Sequence, residues 1–281
     1  MKSDFPEQET SKNLQSVEID APLALIGRAS LDLTRTFSGL IKLGIIALTT
    51  LITRSLEPNH LLWHGLRAQV AKSGVRLFLW ATVLSAGLGA VVVGQMLGVF
   101  TDLGAHNYFG TILVSTVINE IGPMAMGILT VSVIGTATVI DLASARTTGA
   151  LQLTEANSRD QIYSIVVPRV VGFGFSIFCL SIYFILMTLL FAYLIIFIEN
   201  IALSPTAFIN QVTEALSWES FILLAIKSFS FGGIIGIVSC YEALVRPIEL
   251  AHLSAATIRT VMESVLLCAS IDTLFIAYLL L

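Results

Sequence analysis

The sequence predicts an all-α integral membrane protein with an N-terminal interfacial helix and five transmembrane helices, and three observations predict it. The first is composition. Of 281 residues, 56% are hydrophobic and 12% are charged, against about 45–50% and about 25% in a soluble domain. The second is the presence of five long runs almost free of charge, at about residues 77–100, 108–140, 170–198, 221–241 and 260–281; a helix needs roughly 20 apolar residues to cross the hydrocarbon core. The third is charge asymmetry. Fourteen of the 15 lysines and arginines lie in residues 1–76, 141–169 and 242–259. The connections 101–107 and 199–219 hold only Asp102, Glu199, Glu214 and Glu219. Five crossings put the three basic segments on one side, so the positive-inside rule predicts a cytoplasmic N-terminus and a C-terminus on the far face.

Residues 1–20 are polar, so a tail is expected there and no cleaved signal, which would need an early apolar core. Residues 21–281 read as a single domain. Within it, residues 21–56 carry Arg28, Arg35, Lys42 and Arg54 along an apolar pattern whose uncharged piece, Leu43 to Thr53, is too short to span. An amphipathic helix lying in the interface is expected. The run 77–100 is uncharged. The run 108–140 is too long for one straight span and holds Asn119, Glu120, Gly122 and Pro123 near its middle, so a kinked or broken helix is expected. The run 170–198 is long enough to tilt or protrude.

Three ionisable groups lie inside the apolar runs: Glu120, Lys227 and Asp272. On insertion scales each costs about 2.5–3.5 kcal/mol at a helix centre, so each needs a partner or a wet cavity. Counting from the same face at 1.5 Å per residue puts Lys227 and Asp272 at the same depth, about 12–14 Å, and an ion pair between them is expected. Proline removes a backbone donor, and irregular backbone at membrane depth is tolerated where it lines a cavity. Asn119 and Glu120 are therefore expected to face one. Residues 141–157 alternate polar and apolar at helical spacing and predict a short helix suited to docking in a partner's groove. Gly94–Gly98 and Gly232–Gly236 have the spacing of close helix crossings. Cys179, Cys240 and Cys268 sit in apolar runs and read as small buried hydrophobes. There is no P-loop, HExxH, GxSxG or CxxC signature, and a net charge of −4 points to no nucleic-acid partner.

The stretches Gly87 to Ala105, Asn119-Glu-Ile-Gly-Pro123, Val166-Val-Pro-Arg169, and Ile226-Lys-Ser-Phe-Ser-Phe231 followed by Cys240-Tyr241, Ala256-Thr257 and Asp272 resemble, in order and spacing, the MlaE family of MCE-associated permeases in bacterial lipid transport. The resemblance covers roughly residues 21–281. It implies a permease subunit of an ATP-driven lipid transporter in the bacterial inner membrane, multi-pass, with the C-terminus periplasmic. No cofactor is implied on this chain, since ATP would be bound by a separate ATPase. The implied partners are an ATPase dimer, an MCE-domain protein, a second permease copy or paralogue, and membrane lipid. The resemblance also implies a lipid cavity at Asn119, Glu120, Gln95 and Pro123, and a cytoplasmic coupling helix between spans two and three carrying Asp141, Arg146 and Glu155. The chain departs from the family pattern where Asn119 replaces an arginine, Val131-Ser132-Val133 replaces Ala-Gly-Arg, Thr148-Gly149-Ala150 replaces Thr-Glu-Gln, and Arg246 to His252 replaces a glycine-rich turn. Two other functions fit the residues: an ion-coupled secondary transporter using Glu120, Lys227 and Asp272 as a relay, and a non-transporting scaffold anchoring an MCE-type protein.

Overall fold

Seven helices carry almost all of the residues described in the computed structural model, namely 36, 38–50, 77–92, 94–95, 114–149, 165–198, 205–246 and 253–280, and there is no strand among them. The polar tail 1–20, most of the interfacial segment 21–56, residues 96–100 and 108–113, and Glu155 lie outside the described residues. The chain divides into two compact units, Met1–Ile46 and Ala47–Leu281. Helix α1 (Ser38–Thr50) begins in the first. It is apolar but too short to span, and exposes Ile41 and Ile45 beside Lys42.

The second unit contains α2 (Leu77–Val92), α3 (Val114–Thr147), α4 (Val167–Ile198), α5 (Pro205–Ala215), α6 (Trp218–Leu244) and α7 (Leu253–Leu280). Four of these, α3, α4, α6 and α7, are long and apolar enough to cross a membrane. The described part of α2 is apolar but shorter, and the rest of the run expected as the first span, residues 96–100, lies outside the described residues. Helix α5 falls in the 199–219 connection, for which no element is expected.

Helix α3 is not broken at Pro123. It runs for 34 residues without interruption and absorbs the irregularity in two π-helical turns, Val117–Ile121 and Val131–Gly135. The first ends where Gly122 N–H bonds the Val117 carbonyl, five residues back. Such turns let a helix stay continuous where an i→i−4 bond is unavailable. Around the second, Ser132 Oγ donates to the Ile128 carbonyl and Thr136 Oγ1 to the Ser132 carbonyl, each at 2.7 Å, satisfying the hydroxyls within the helix. Residues 141–147, expected to open a separate coupling helix, continue α3 instead. No glycine or proline intervenes before Gly149, whose φ of 71° supplies the left-handed residue that ends a helix.

The core forms where α4 and α6 cross, the most extensive contact between described helices. A Cβ on Gly232 would lie 2.3 Å from the Gly174 nitrogen, and one on Gly236 would lie 2.8 Å from the Val170 Cα. The crossing is thus backbone against backbone, with Phe173, Ile177, Phe184, Phe231 and Ile235 buried around it. Small residues permit this approach in lipid, where dispersion contacts rather than water exclusion hold helices together. Gly94 is different: nothing lies within 4 Å of a Cβ built there. Helix α2 is tied to α4 by a 2.7 Å hydrogen bond between Thr82 Oγ1 and Tyr183 Oη, and by Phe78 stacked on Tyr183 with ring centroids 4.2 Å apart. Cys240 and Cys268 are buried, whereas Cys179 is exposed: its position on α4 faces away from the α4–α6 crossing.

Candidate functional site

Lys227, in the middle of α6, is 1% exposed and has an acceptor for each of its three donors. Its Nζ donates at 2.8 Å to the Asn119 backbone carbonyl and at 3.1 Å to both carboxylate oxygens of Glu120. Asp272 Oδ1 on α7 lies 2.8 Å from the same nitrogen, in ion-pair contact but off the hydrogen-bonding direction. The Phe275 ring stands 5.9 Å from the ammonium.

The local sequence explains why α3 presents these groups. In a regular α-helix the Asn119 carbonyl would accept the N–H of residue 123, and Pro123 has none. The π turn around it leaves that carbonyl open to a donor from another helix, and Lys227 supplies one. Proline thus creates an acceptor at membrane depth, and an ammonium from α6 occupies it. The cluster joins three helices and carries one cation against two carboxylates, a net charge of −1 when all three are ionised. The carboxylates are its open side, with 34% of the Glu120 side chain and 15% of Asp272 exposed. Asn119 Oδ1 is buried without a hydrogen-bond partner, and Pro123 is buried. Gln95 is exposed and is not among the described groups that touch Lys227.

The structure therefore brings Lys227 and Asp272 together, and brings Glu120 to the same ammonium rather than leaving it in a separate role. Arg146 reaches the end of α6: its Nη1 donates to the Leu244 and Arg246 carbonyls at 3.1 and 3.0 Å, a favourable place for a cation near unpaired helix-terminal carbonyls. Asp141 is exposed one turn earlier on α3.

A second ion cluster was not anticipated. Glu242 is fully buried and pairs with Arg246 one turn on, and Arg246 also lies 3.4 Å from Glu263 of α7 and over the Tyr241 ring at 5.9 Å. The available signal was the i, i+4 spacing of Glu242 and Arg246 at the end of an apolar run. Arg246→Ala would strand a buried carboxylate. We expect a loss of about 1–3 kcal/mol, read as a lower melting temperature in detergent and largely restored by adding Glu242→Gln. No restoration would show that Glu242 does not depend on this arginine.

Long apolar helices locked to one another by one ionic cluster at mid-helix and another at the helix ends define an α-helical multi-pass membrane protein. The chain belongs to the MlaE family: its residues 66–278 match the family described as Permease MlaE. That stretch takes in α3, α4 and α6 entirely, and both ion clusters. The chain is similar to a "Probable ABC transporter permease protein" of Rickettsia prowazekii, 28% identical over 154 residues, or 55% of this chain and 59% of the relative. A protein of the same description from Synechocystis is 27% identical over 201 residues, or 71% of this chain and 75% of the relative. The chain spans about three fifths of the length of the Rickettsia relatives it matches, 59% for that of Rickettsia typhi as well. The resemblance read from the sequence motifs thus holds at the level of the family.

Proposed function

We propose that this chain is the permease subunit of an ATP-driven lipid transporter, working with a separate ATPase dimer, an MCE-domain protein and a second permease copy or paralogue. The observation that carries the proposal is the family match across residues 66–278. The described relatives are named ABC transporter permeases, which supports an ATPase partner, and the sequence carries no nucleotide-binding signature of its own. Charge asymmetry supports five spans with a cytoplasmic N-terminus and the C-terminus on the opposite face, and the family supports the bacterial inner membrane, which makes that face periplasmic. Asn119, Glu120, Gln95 and Pro123 would line the lipid cavity, with the half-open carboxylates of the Lys227 cluster at its wall. Residues 141–157, with Asp141, Arg146 and Glu155, would dock the ATPase. Through the hydrogen bonds of Arg146, motion of that segment would reach the end of α6 directly.

The net negative Lys227 cluster also favours a second reading, an ion-coupled transporter in which the acids relay protons. Purification in mild detergent, with mass spectrometry of bound chains and lipids, separates the readings. An ATPase chain with bound lipid supports the proposal. An MCE-type protein alone favours a scaffold, and the absence of both favours ion coupling. We further expect Asp141→Lys combined with Glu155→Lys to reduce ATPase recovery severalfold while membrane insertion stays intact; unchanged recovery would remove the docking role from this segment.

A further inference from the structure

Between α4 and α5, away from both ion clusters, runs an apolar groove of about 330 Å³. It is bordered by Leu186, Leu190 and Tyr193 of α4 and by Phe208, Ile209 and Val212 of α5. The Tyr193 and Phe208 rings, 5.3 Å apart, hold α5 against α4. The groove is open along its length, for Leu186, Leu190 and Ile209 are each more than half exposed.

Two features say what it opens onto. Leu186 and Leu190 continue into Leu194 and Phe197, also exposed, and this spacing of four, four and three residues makes one stripe along α4. On a membrane-spanning helix such a stripe faces hydrocarbon, so the groove is continuous with the lipid-facing surface. Helix α5 is amphipathic. Phe208, Ile209 and Val212 share one side, while the exposed Asn210 and Glu214 lie on the other. An 11-residue helix of this kind lies flat at the membrane interface. Trp218, 80% exposed at the start of α6, marks the headgroup level that tryptophan favours. A lipid seated in the groove would therefore have its chain among the leucines and its headgroup at the level of α5.

Charge narrows the headgroup. From residue 199 to residue 226 the sequence carries Glu199, Glu214 and Glu219 and no lysine or arginine. Juxtamembrane cations attract anionic lipid, and an acidic stretch does the reverse.

We propose that the α4–α5 groove is a lipid site that holds an acyl chain of an amine-headgroup lipid, with the ammonium set against the exposed carboxylates Glu214 and Glu219. The site lies on the membrane-facing surface, apart from the Lys227 cluster, and does not depend on transport. The test reconstitutes the full chain in vesicles of phosphatidylethanolamine and phosphatidylglycerol. A trace of photoactivatable diazirine-acyl lipid bearing one headgroup or the other is added, and adducts are mapped by peptide mass spectrometry. Adducts should concentrate on residues 186–193 and 205–213, severalfold above those at the exposed Leu266 and Leu274 of α7, and the ethanolamine probe should label more strongly. Val212→Trp or Leu190→Trp, filling the groove from opposite sides, should cut labelling severalfold. Leu190 points outward, so its variant folds even if Val212→Trp does not. Glu214→Gln with Glu219→Gln should keep the adducts but equalise the two probes. Labelling spread evenly over α4, α5 and α7, or unchanged by either tryptophan, would overturn the site and leave ordinary annular lipid. Equal labelling by both probes in the unaltered chain would overturn the amine headgroup.

Discussion

Gly232→Ala, the smallest change that adds a side chain, should leave little folded protein. Its methyl would have to occupy space 2.3 and 2.4 Å from the Gly174 nitrogen and Cα, and 2.6 Å from the Phe173 carbonyl carbon. All three are main-chain atoms, so no side-chain rotation relieves the clash and α4 must separate from α6. Separation opens the core around Phe173, Ile177, Phe231 and Ile235. In a helix interior alanine is favoured over glycine by about 1 kcal/mol, but overpacking a well-filled core costs about 1–3 kcal/mol or more even where side chains can yield. At a backbone crossing the steric cost wins. Gly233→Ala is the matched control, since nothing lies within 4 Å of a Cβ there; it should be neutral or slightly stabilising. The comparison is made on yield of monodisperse protein and melting temperature in detergent. Equal behaviour of the two variants would mean that the helices do not cross through Gly232.

That pair of glycines shows what sequence could and could not convey. Gly94–Gly98 and Gly232–Gly236 have the same spacing, but Gly232 and Gly236 press on the α4 backbone while a Cβ at Gly94 would meet nothing within 4 Å, because spacing marks a small-residue face without saying whether a helix meets it. Depth was legible. Lys227 and Asp272 could be levelled by counting residues, since the rise of a helix is nearly constant. Azimuth was not. The side of α3 on which Glu120 emerges depends on the π turns at Val117–Ile121 and Val131–Gly135. Each extra residue in a turn rotates the following face by about 100°, and no composition rule announces a π turn. The Gly-Pro step did announce freed backbone, and its acceptor is filled by lysine. Glu242 escaped notice because it stands at the end of its run, where a charge is usually solvated; the structure buries it under Arg246. Helix α5 was missed in a connection read only for its lack of positive charge, although Pro205 and the apolar Phe208, Ile209 and Val212 mark an amphipathic start.

The Lys227 cluster should respond asymmetrically to substitution, because one cation serves two acids. Lys227→Met removes the only charge that both carboxylates share and also leaves the Asn119 carbonyl without the donor 2.8 Å away. Breaking a buried pair from one side costs about 3–5 kcal/mol, and an orphaned buried acceptor adds about 1–3 kcal/mol, so this should be the most damaging change in the cluster. Asp272→Asn and Glu120→Gln should each be milder, since the remaining carboxylate still balances the ammonium. Of these two, Asp272→Asn should cost more, because Asp272 is 15% exposed against 34% for Glu120 and has less water to fall back on. Lys227→Met with Asp272→Asn leaves only the half-open Glu120 charged and should recover part of the loss. The fully neutral Glu120→Gln, Lys227→Met, Asp272→Asn chain should recover most of it, as replacing a whole buried ionic set is often near neutral. Melting temperatures of the purified variants check the order. If the single losses simply add in the double and triple variants, the three side chains are energetically independent and the cluster does not hold α3, α6 and α7 together. A stable triple variant that no longer moves lipid would instead place the charges in transport rather than in assembly, while one that keeps transport would confine them to assembly.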